Sequence, residues 1–464
     1  MTRRTVRLTT LIASALLVLA ACTTPNTAPE VDITSPADGA VIALPGTAVL
    51  AATATDAEDG DLSDAVVWMS DVDGALTPAA GGEVTLSPGT HTITATVTDA
   101  AALAGTDSVT VSVNAATHLV SEGTTLHLMG VVDNELLEVD SAGLPAAGLL
   151  DEHQIFNVIA HPTEDWLFVA SMNSCALDDD ACWGNGRIDR FVVAGNSITY
   201  DGLAFSYDET TTAQCALEPV DPTVMPGQVG FCALNGMAFS SDGSRLYVDD
   251  DDFDVLQVFS VDANGDLTFI AEGASTDAHG LAIDATDTYV YNGSEVIEVT
   301  NDAPTTVFNG LGGNATTLLD VGGTASLITT TNTDTIALFG LTDPLNPALI
   351  DDHLLATNQA RDLAFTADLS RIITPGQKTV NSLSFDGTVF ALDDTYTSTA
   401  TPDTQFRAVG LNADATWVLA AWFQIDAADT SGGLDLFSVA ADGTLALLDS
   451  VGYINEARVV YTLP

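Results

Sequence analysis

The feature that most constrains the fold of this chain is an internal repeat in its last three quarters. Residues 234–273, 360–396 and 406–452 each contain short runs in which apolar and polar positions alternate. Asp-Gly and Asn-Gly pairs separate many of these runs, and such pairs favour tight β-hairpin turns. A unit of four short strands that recurs roughly every 40–50 residues is typical of the blades of a β-propeller.

The number of blades follows from the starts of the first, innermost strand of each unit. Successive starts are 37 to 51 residues apart, except for one interval of 78 residues. Seven starts predict a seven-bladed, all-β domain over residues 116–464. The starts lie near Asn157, Asn235, His279, Thr316, Arg361, Arg407 and Arg458.

The two ends of the repeat region complement each other. The last start is followed by one strand only, whereas residues 117–150 supply about three strands without an inner one. We expect the C-terminal strand to complete that first set as a clasp. Closing the ring in this way removes the exposed strand edges through which β-proteins aggregate.

The repeat units resemble the YVTN and lactonase-like seven-bladed propellers. The matching segments are IAHPTEDWLFVAS (159–171), AFSSDGSRLYV (238–248) and VFSVDANGDLTFI (258–270). The resemblance implies the same fold, and lactonases of that family use acidic, His and Arg side chains or a bound metal at the channel mouth. No family residue can be transferred position by position, because the inner-strand starts do not reproduce a full motif. His161 matches a family position that is more often structural.

The first residues indicate export. A basic start (Arg3, Arg4 and Arg7) precedes an apolar run that is too short to span a bilayer. Residues 1–21 end before Cys22 in a sequence, LAAC, that resembles the bacterial lipobox. The resemblance implies acylation of Cys22 and an extracytoplasmic protein tied to the membrane of the cell envelope by its lipid. A plain secretory signal is the alternative.

Residues 22–30 form a predicted tether, and residues 31–115 form a predicted separate domain. Short segments rich in Val, Thr and Ala alternate there with turn residues, which is typical of an antiparallel β-sandwich. Trp68 in VVWMSDVDG and the ending SPGTHTITATVTDAAALAGTDSVTVSVN resemble bacterial immunoglobulin-like and PKD-like modules. In that family such modules serve as spacers or adhesive stalks.

Four cysteines remain after Cys22, and they lie in the 78-residue interval. An even number in an oxidising compartment predicts two disulfides, whereas a zinc site needs more closely spaced pairs. Spacing favours the pairs Cys175–Cys182 and Cys215–Cys232, although three pairings are possible. Both insertions are expected on the face where inner strands start, which predicts one loop-rich working face. The alternative is that the disulfides only stabilise these insertions and have no role in function. The cysteines are Cys175, Cys182, Cys215 and Cys232.

The formal net charge of −53 argues against nucleic acid as a partner. A solvated surface, adapted to salt, explains such acidity, and so does binding of a divalent cation. Asp249, Asp250, Asp251 and Asp252 form an acidic run, expected in a loop, that could bind Ca²⁺ through its oxygens. A second acidic cluster lies within residues 56–61.

The few cations suggest a site. The chain has 11 Lys and Arg residues, three of them in the first seven positions. Arg361, Arg407 and Arg458 fall at inner-strand starts, where convergent guanidinium groups would suit a carboxylate or phosphate. They could also polarise a lactone carbonyl, with His279 as a base. The structural alternative pairs each Arg with a nearby acid, such as Asp362 or Glu456. Asn157 and Asn235 complete the predicted ligand-binding set.

The sequence contains no GxSxG, P-loop or HExxH motif. The predicted function is therefore binding at the cell envelope, through the loop-rich face, to an envelope protein or carbohydrate. The alternative is a lactonase-type hydrolase that acts on a lactone or an anionic sugar derivative at the channel mouth.

Overall fold

A computed structural model describes most of the chain, and every structural statement below concerns this part. Residues 1–21, which were predicted to be a signal segment, lie outside it, as do Cys22, the other four cysteines, Asp251, Asp252, His279 and Glu456. The described residues are 26–42, 46–79, 81–87, 89–113, 116–132, 134–146, 153–173, 184–194, 196–206, 234–250, 254–276, 280–313, 316–321, 324–330, 335–355, 360–399, 404–412, 414–424, 431–453 and 457–463.

The chain divides into two compact units, one within residues 26–111 and one that is mainly 112–463. The first unit is a β-sandwich with strands β1 (Glu30–Ser35), β2 (Ala40–Ile42), β3 (Thr47–Val49), β4 (Ala51–Asp56), β5 (Gly60–Asp61), β6 (Val67–Ser70), β7 (Gly74–Leu76), β8 (Glu83–Thr85), β9 (Gly89–Thr98) and β10 (Ala104–Val113), and a 3₁₀ turn at Ser63–Ala65. The sheet orders are β1-β4-β5, β2-β10-β9-β6-β7 and β3-β8.

Alternation in the sequence explains the core of this unit. Along β9, His91, Ile93, Ala95 and Val97 are buried, while the threonines between them are exposed or half-buried. The β-sandwich is confirmed, and its relation to immunoglobulin-like modules stays a prediction.

The second unit consists of seven four-stranded antiparallel sheets, as the repeat predicts. In chain order its strands are β11 (His118–Glu122), β12 (Thr125–Val132), β13 (Glu135–Gly143), β14 (His153–Ala160), β15 (Trp166–Asn173), β16 (Gly184–Ala194), β17 (Ser197–Ser206), β18 (Leu234–Phe239), β19 (Arg245–Asp250), β20 (Val255–Val261), β21 (Leu267–Ala274), β22 (Ala282–Ile283), β23 (Tyr289–Tyr291), β24 (Glu295–Glu298), β25 (Thr305–Asn309), β26 (Thr316–Val321), β27 (Thr324–Thr330), β28 (Thr335–Gly340), β29 (Ala348–Leu354), β30 (Ala364–Phe365), β31 (Arg371–Gly376), β32 (Thr379–Phe385), β33 (Phe390–Thr397), β34 (Thr404–Leu411), β35 (Trp417–Gln424), β36 (Gly432–Val439), β37 (Leu445–Tyr453) and β38 (Val460–Thr462). A 3₁₀ turn covers Thr300–Asp302.

Blades 1 to 6 are β14–β17, β18–β21, β22–β25, β26–β29, β30–β33 and β34–β37, and blade 7 has the order β13-β12-β11-β38. In blade 7 the last strand pairs with the first strand of the propeller, with Val460 opposite Val120 and Thr462 opposite His118. The predicted clasp is therefore confirmed. Apolar side chains fill the spaces between neighbouring blades. Phe168 of blade 1 contacts Phe239 of blade 2, with ring centroids 5.1 Å apart.

The outer strand pair of every blade contains a β-bulge. In blade 6, for example, the register shifts between Leu436 and Phe437, which leaves Leu448 of the outer strand as the extra residue. Equivalent shifts occur in the other six outer pairs. Such bulges twist an edge strand away from flat pairing, which protects the rim of the propeller. No helix in the described part is long and apolar enough to cross a membrane.

Candidate functional site

The seven inner strands surround two adjoining cavities of about 240 Å³ each. The two cavities share Asn157, Val158, Arg361 and Asp362. Every blade contributes to their lining, either from its inner strand or from the residues just before it. The arginine cavity adds Phe156, Arg407, Ala408 and residues 458–461 to the shared four. The threonine cavity adds Ile159, Met237, residues 280–281, residues 316–317 and Leu363.

The structure places the three arginines at inner-strand starts in one lining. Arg361 precedes β30, Arg407 lies within β34 and Arg458 precedes β38, and all three face the arginine cavity. Guanidinium groups stay protonated at any physiological pH. The lining therefore concentrates positive charge within a strongly acidic chain.

Irregular backbone helps to place these residues. The register of the inner strand pair shifts between Phe406 and Ala408, which leaves Arg407 as the extra residue of a bulge. A similar shift occurs beside Phe156 in blade 1. Bulges bend the strand and redirect its side chains, and they are common at functional sites.

The bulge also corrects the predicted equivalence of Asn157 with the arginines. Asn157 pairs with Ala170, four residues after the start of β15, and Ala408 pairs with Ala421, four residues after the start of β35. Asn157 thus corresponds to Ala408, and Phe156 occupies the position of Arg407. Asn157 still lines both cavities.

Arg458 is held from several sides. Its Nε donates a 2.7 Å hydrogen bond to Oε1 of Gln154, and its guanidinium carbon lies 4.6 Å from the ring centroid of Phe156. The backbone N–H groups of Arg458 and Val459 both donate to Oγ of Ser121, at 3.3 and 3.1 Å. These contacts limit the rotamers of the side chain and so orient it before a ligand arrives.

Arg407 and Arg458 both lie over the ring of Phe423. The guanidinium carbons of Arg407 and Arg458 lie 5.2 and 5.4 Å from the ring centroid of Phe423, in β35. A cation over an aromatic face is attracted by the quadrupole of the ring. The ring thus helps to hold the two guanidinium groups in one lining.

Asp362 supplies a carboxyl group to both cavities. Its Oδ2 accepts a 2.9 Å hydrogen bond from the N–H of Val409, and its Oδ1 accepts one of 2.8 Å from the N–H of Leu363. Burial raises the pKa of this carboxyl to about 7, although both hydrogen bonds favour the ionised form. A carboxyl with this pKa can exchange protons near neutral pH.

The sequence pattern indicates Asp362 only as a partner for an arginine, and it does not indicate Phe156, Phe423 or Tyr461. Asp362 directly follows Arg361 at a strand start, and this position was the sequence signal that could have identified Asp362 as a site residue. Phe423 had none, because it reaches the arginines from another strand.

Four other arginines of the described part form ion pairs with aspartates. Arg187 binds Asp189 within one strand, with Nη2 2.5 Å from Oδ1. Arg190 bridges Asp201 and Asp266 at 3.0 and 2.8 Å. The remaining pairs are Arg245 with Asp302 at 2.7 Å and Arg371 with Asp393 at 2.8 Å.

The remaining predicted site residues stand apart from this arrangement or outside the described residues. His279 lies outside, and the side chain of Asn235 in β18 does too, although its neighbour Met237 lines the threonine cavity. His161 is structural: its Nε2 lies 3.1 Å from the carbonyl oxygen of Gly243, and it packs on Phe239.

The predicted calcium run is partly wrong in its placement. Asp249 and Asp250 are the last residues of β19 rather than loop residues, and both are buried. Adjacent strand residues point to opposite faces, so the two carboxylates cannot easily share an ion. Oγ of Ser275 donates to Asp249 at 2.8 Å. In the described part of the chain, no group of three His, Cys, Asp or Glu side chains is arranged to hold a metal.

The second acidic cluster, within residues 56–61, caps its own turns. Oδ1 of Asp56 accepts from the N–H groups of Glu58 and Asp59, at 2.9 and 2.7 Å. Asp61 accepts from the backbone N–H of Ser63 at 3.0 Å, and these bonds lower the pKa of its carboxyl. This is the local pattern that makes Asp frequent in turns.

No protein-family model and no curated protein sequence matches the chain. Among solved structures, it is similar to a periplasmic gluconolactonase of Pseudomonas aeruginosa, at 13% identity and a TM-score of 0.53, over 75% of this chain and 99% of that one. A Bacteroides uniformis protein provisionally assigned as a 6-phosphogluconolactonase aligns at 11% identity and a TM-score of 0.48, over 75% and 100%. The chain is thus an all-β protein whose seven-bladed propeller shares the fold of the periplasmic gluconolactonase.

Proposed function

We propose that the propeller binds a small anion, a sugar acid or a related carboxylate or phosphate, in the arginine cavity. One observation supports this proposal most directly: Arg361, Arg407 and Arg458 line one cavity of about 240 Å³ in a chain of net charge −53. Only eight Lys and Arg residues follow position 7, so three of these eight lie in this lining.

Physical chemistry favours an anion there. The planar guanidinium donates paired hydrogen bonds to a carboxylate or phosphate. Since Gln154, Phe156 and Phe423 already orient Arg407 or Arg458, little further ordering is needed on binding. The acidic surface opposes the approach of anions in general, so binding depends on this local positive lining.

Calorimetric titration of the purified protein with gluconate and with inorganic phosphate tests the proposal. We expect the Arg407→Ala variant to bind roughly 10- to 100-fold more weakly, the range for losing a hydrogen bond to a charged group. Arg245→Ala is the matched control, since it removes an equal charge from a salt bridge with Asp302 outside the cavities. Equal affinity of wild type and Arg407→Ala would contradict the proposal.

Lactone hydrolysis is a second candidate function, and Asp362 favours it. Catalysis, unlike binding alone, requires an acid or His beside the arginines, and Asp362 lines the same cavity. The gluconolactonase with this fold agrees with such chemistry.

In the proposed step the Asp362 carboxylate takes a proton from water, and the oxygen of that water attacks the lactone carbonyl. An arginine stabilises the oxyanion. The ring C–O bond then breaks, and the proton passes to the leaving oxygen, which yields the hydroxy acid.

Hydrolysis of a panel of sugar and acyl lactones, with and without Ca²⁺, tests the second candidate. The rate should rise with pH through about 7, because the base must be ionised and burial raises the pKa of Asp362 to about 7. Asp362→Asn should keep anion binding and lose turnover, while Arg361→Ala/Arg407→Ala should lose both. Turnover that survives in Asp362→Asn with the same pH profile would rule out this role.

We also propose that Cys22 carries a lipid that tethers the protein to the envelope membrane. The basic start, the apolar run and the LAAC sequence support this. Cys22→Ser should move the protein from the membrane fraction to the soluble fraction.

We further propose that the segments with Cys175, Cys182, Cys215 and Cys232 contact an envelope protein or carbohydrate. An unchanged pull-down profile after deletion of these segments would contradict that role.

A further inference from the structure

The two adjoining cavities differ in charge. They meet at Asn157, Val158, Arg361 and Asp362. The arginine cavity adds two more guanidinium groups, from Arg407 and Arg458. Among its described lining residues, the threonine cavity adds no charged side chain.

The described residues that only the threonine cavity has are uncharged, and they combine polar with apolar groups. Thr316, Thr317 and backbone groups around Gly280 provide hydrogen-bonding capacity, and Leu281 and Met237 provide apolar surface. Hydroxyl groups can bind there without the desolvation cost that a second carboxylate would carry. A carboxylate would also face Asp362, and among the described residues of this lining only the shared Arg361 would offset the repulsion.

Size also limits the ligand. Each cavity, at about 240 Å³, is below the roughly 300–1,000 Å³ typical of sites for drug-sized ligands. A ligand that used both cavities through their shared residues would match a single short carbon chain better than an oligosaccharide.

We propose that the site selects a two-ended ligand with charge at one end only: an acid group in the arginine cavity and an uncharged, hydroxyl-bearing chain in the threonine cavity. This inference rests on the proposed function, since it requires anion binding by the arginines. It selects monoacids of the sugar-acid class and rejects dicarboxylates of the same length.

The test is calorimetric titration with gluconate, with glucarate and with inorganic phosphate. Gluconate and glucarate have the same carbon number and differ in one terminal carboxylate, and phosphate probes the arginine cavity alone. We expect gluconate to bind at least about tenfold more tightly than glucarate. Thr317→Val should weaken gluconate about two- to tenfold, the range for one neutral hydrogen bond, and leave phosphate unchanged. Thr199→Val, at an exposed position of β17, is the matched control.

The outcomes separate the two proposals. If glucarate binds as tightly as gluconate, or if a folded Thr317→Val protein binds gluconate like wild type, the two-ended ligand is wrong while anion binding stands. If neither sugar acid nor phosphate binds, the proposed function fails, and this inference fails with it. A melting curve of each variant confirms that it is folded.

Discussion

Single residues in this propeller owe their chemistry to burial. His118 in the clasp is fully buried, its Nδ1 lies 2.9 Å from Oγ1 of Thr117, and its ring packs 5.1 Å from that of Trp417. Burial lowers the pKa of His118 to about 4 and raises that of Asp362 to about 7. The same physical cause, desolvation of the charged form, thus shifts the pKa of a base and the pKa of an acid in opposite directions.

The His118 shift predicts how stability responds to acid. Between about pH 6.5 and pH 4 the unfolded chain protonates this imidazole and the folded protein does not, so stability from this group is lost as pH falls. Compared with His118→Gln, the wild-type free energy of unfolding should decrease by about 1.4 kcal/mol per pH unit in this window. Urea titrations of both proteins at pH 4.5, 5.5 and 7.5 measure it. A difference that is independent of pH would contradict the prediction.

Phe423 offers a test of the site that removes no charge. Because Arg407 and Arg458 both lie over its ring, Phe423→Leu should weaken gluconate or phosphate binding about two- to tenfold. Phe269→Leu, at an exposed position of β21, is the control. Titration calorimetry checks it, and unchanged affinity would show that the ring does not orient the arginines.

Individual strands carry a recurrent aspartate next to the outer bulge. The side chain accepts a hydrogen bond from a backbone N–H in the outer strand of the next blade, and among the described residues this occurs in four blades. The pairs are Asp140 with Ile198 (2.9 Å), Asp351 with Phe390 (2.8 Å), Asp394 with Leu445 (2.8 Å) and Asp449 with Leu136 (2.8 Å). These aspartates therefore connect neighbouring blades, which gives part of the acidic composition a structural reason.

Asp449→Ala should destabilise the propeller, because this aspartate joins blade 6 to blade 7 and its loss leaves the Leu136 N–H without its acceptor. The expected cost is about 0.5–1.5 kcal/mol, the range for the net contribution of one hydrogen bond, because this one is only partly buried. Asp442→Ala, in an exposed turn of the same blade, is the control. Denaturant unfolding measures both variants, and equal midpoints would contradict a stabilising role for the Asp449–Leu136 hydrogen bond.

At the scale of the whole molecule, ring closure and the candidate site depend on the same segment. Residues 458–461 line the arginine cavity, and β38 completes blade 7. Arg458 reaches Gln154 and Phe156 of blade 1 and Phe423 of blade 6. Blade 7 lies between blades 6 and 1 in the ring, so the side chain of Arg458 contacts both neighbours of its own blade.

Deletion of residues 453–464 should therefore open the ring and abolish anion binding together. We expect earlier, less cooperative unfolding than in wild type, because blade 7 loses its inner strand, β38. Conversely, saturating gluconate should slow amide hydrogen exchange in residues 457–463. A truncated protein that unfolds and binds like wild type would contradict this coupling.

The sequence by itself determined the strands, the seven blades and the clasp, because alternation and turn residues are local signals that recur with the repeat. It also indicated which strand starts hold arginines. Only the tertiary structure decided that Phe156, not Asn157, occupies the arginine position, since a one-residue bulge is invisible in the pattern. The tertiary structure likewise decided the role of Phe423 and the pKa of Asp362. Contacts between blades and burial depend on residues far apart in the chain, and no local pattern encodes them.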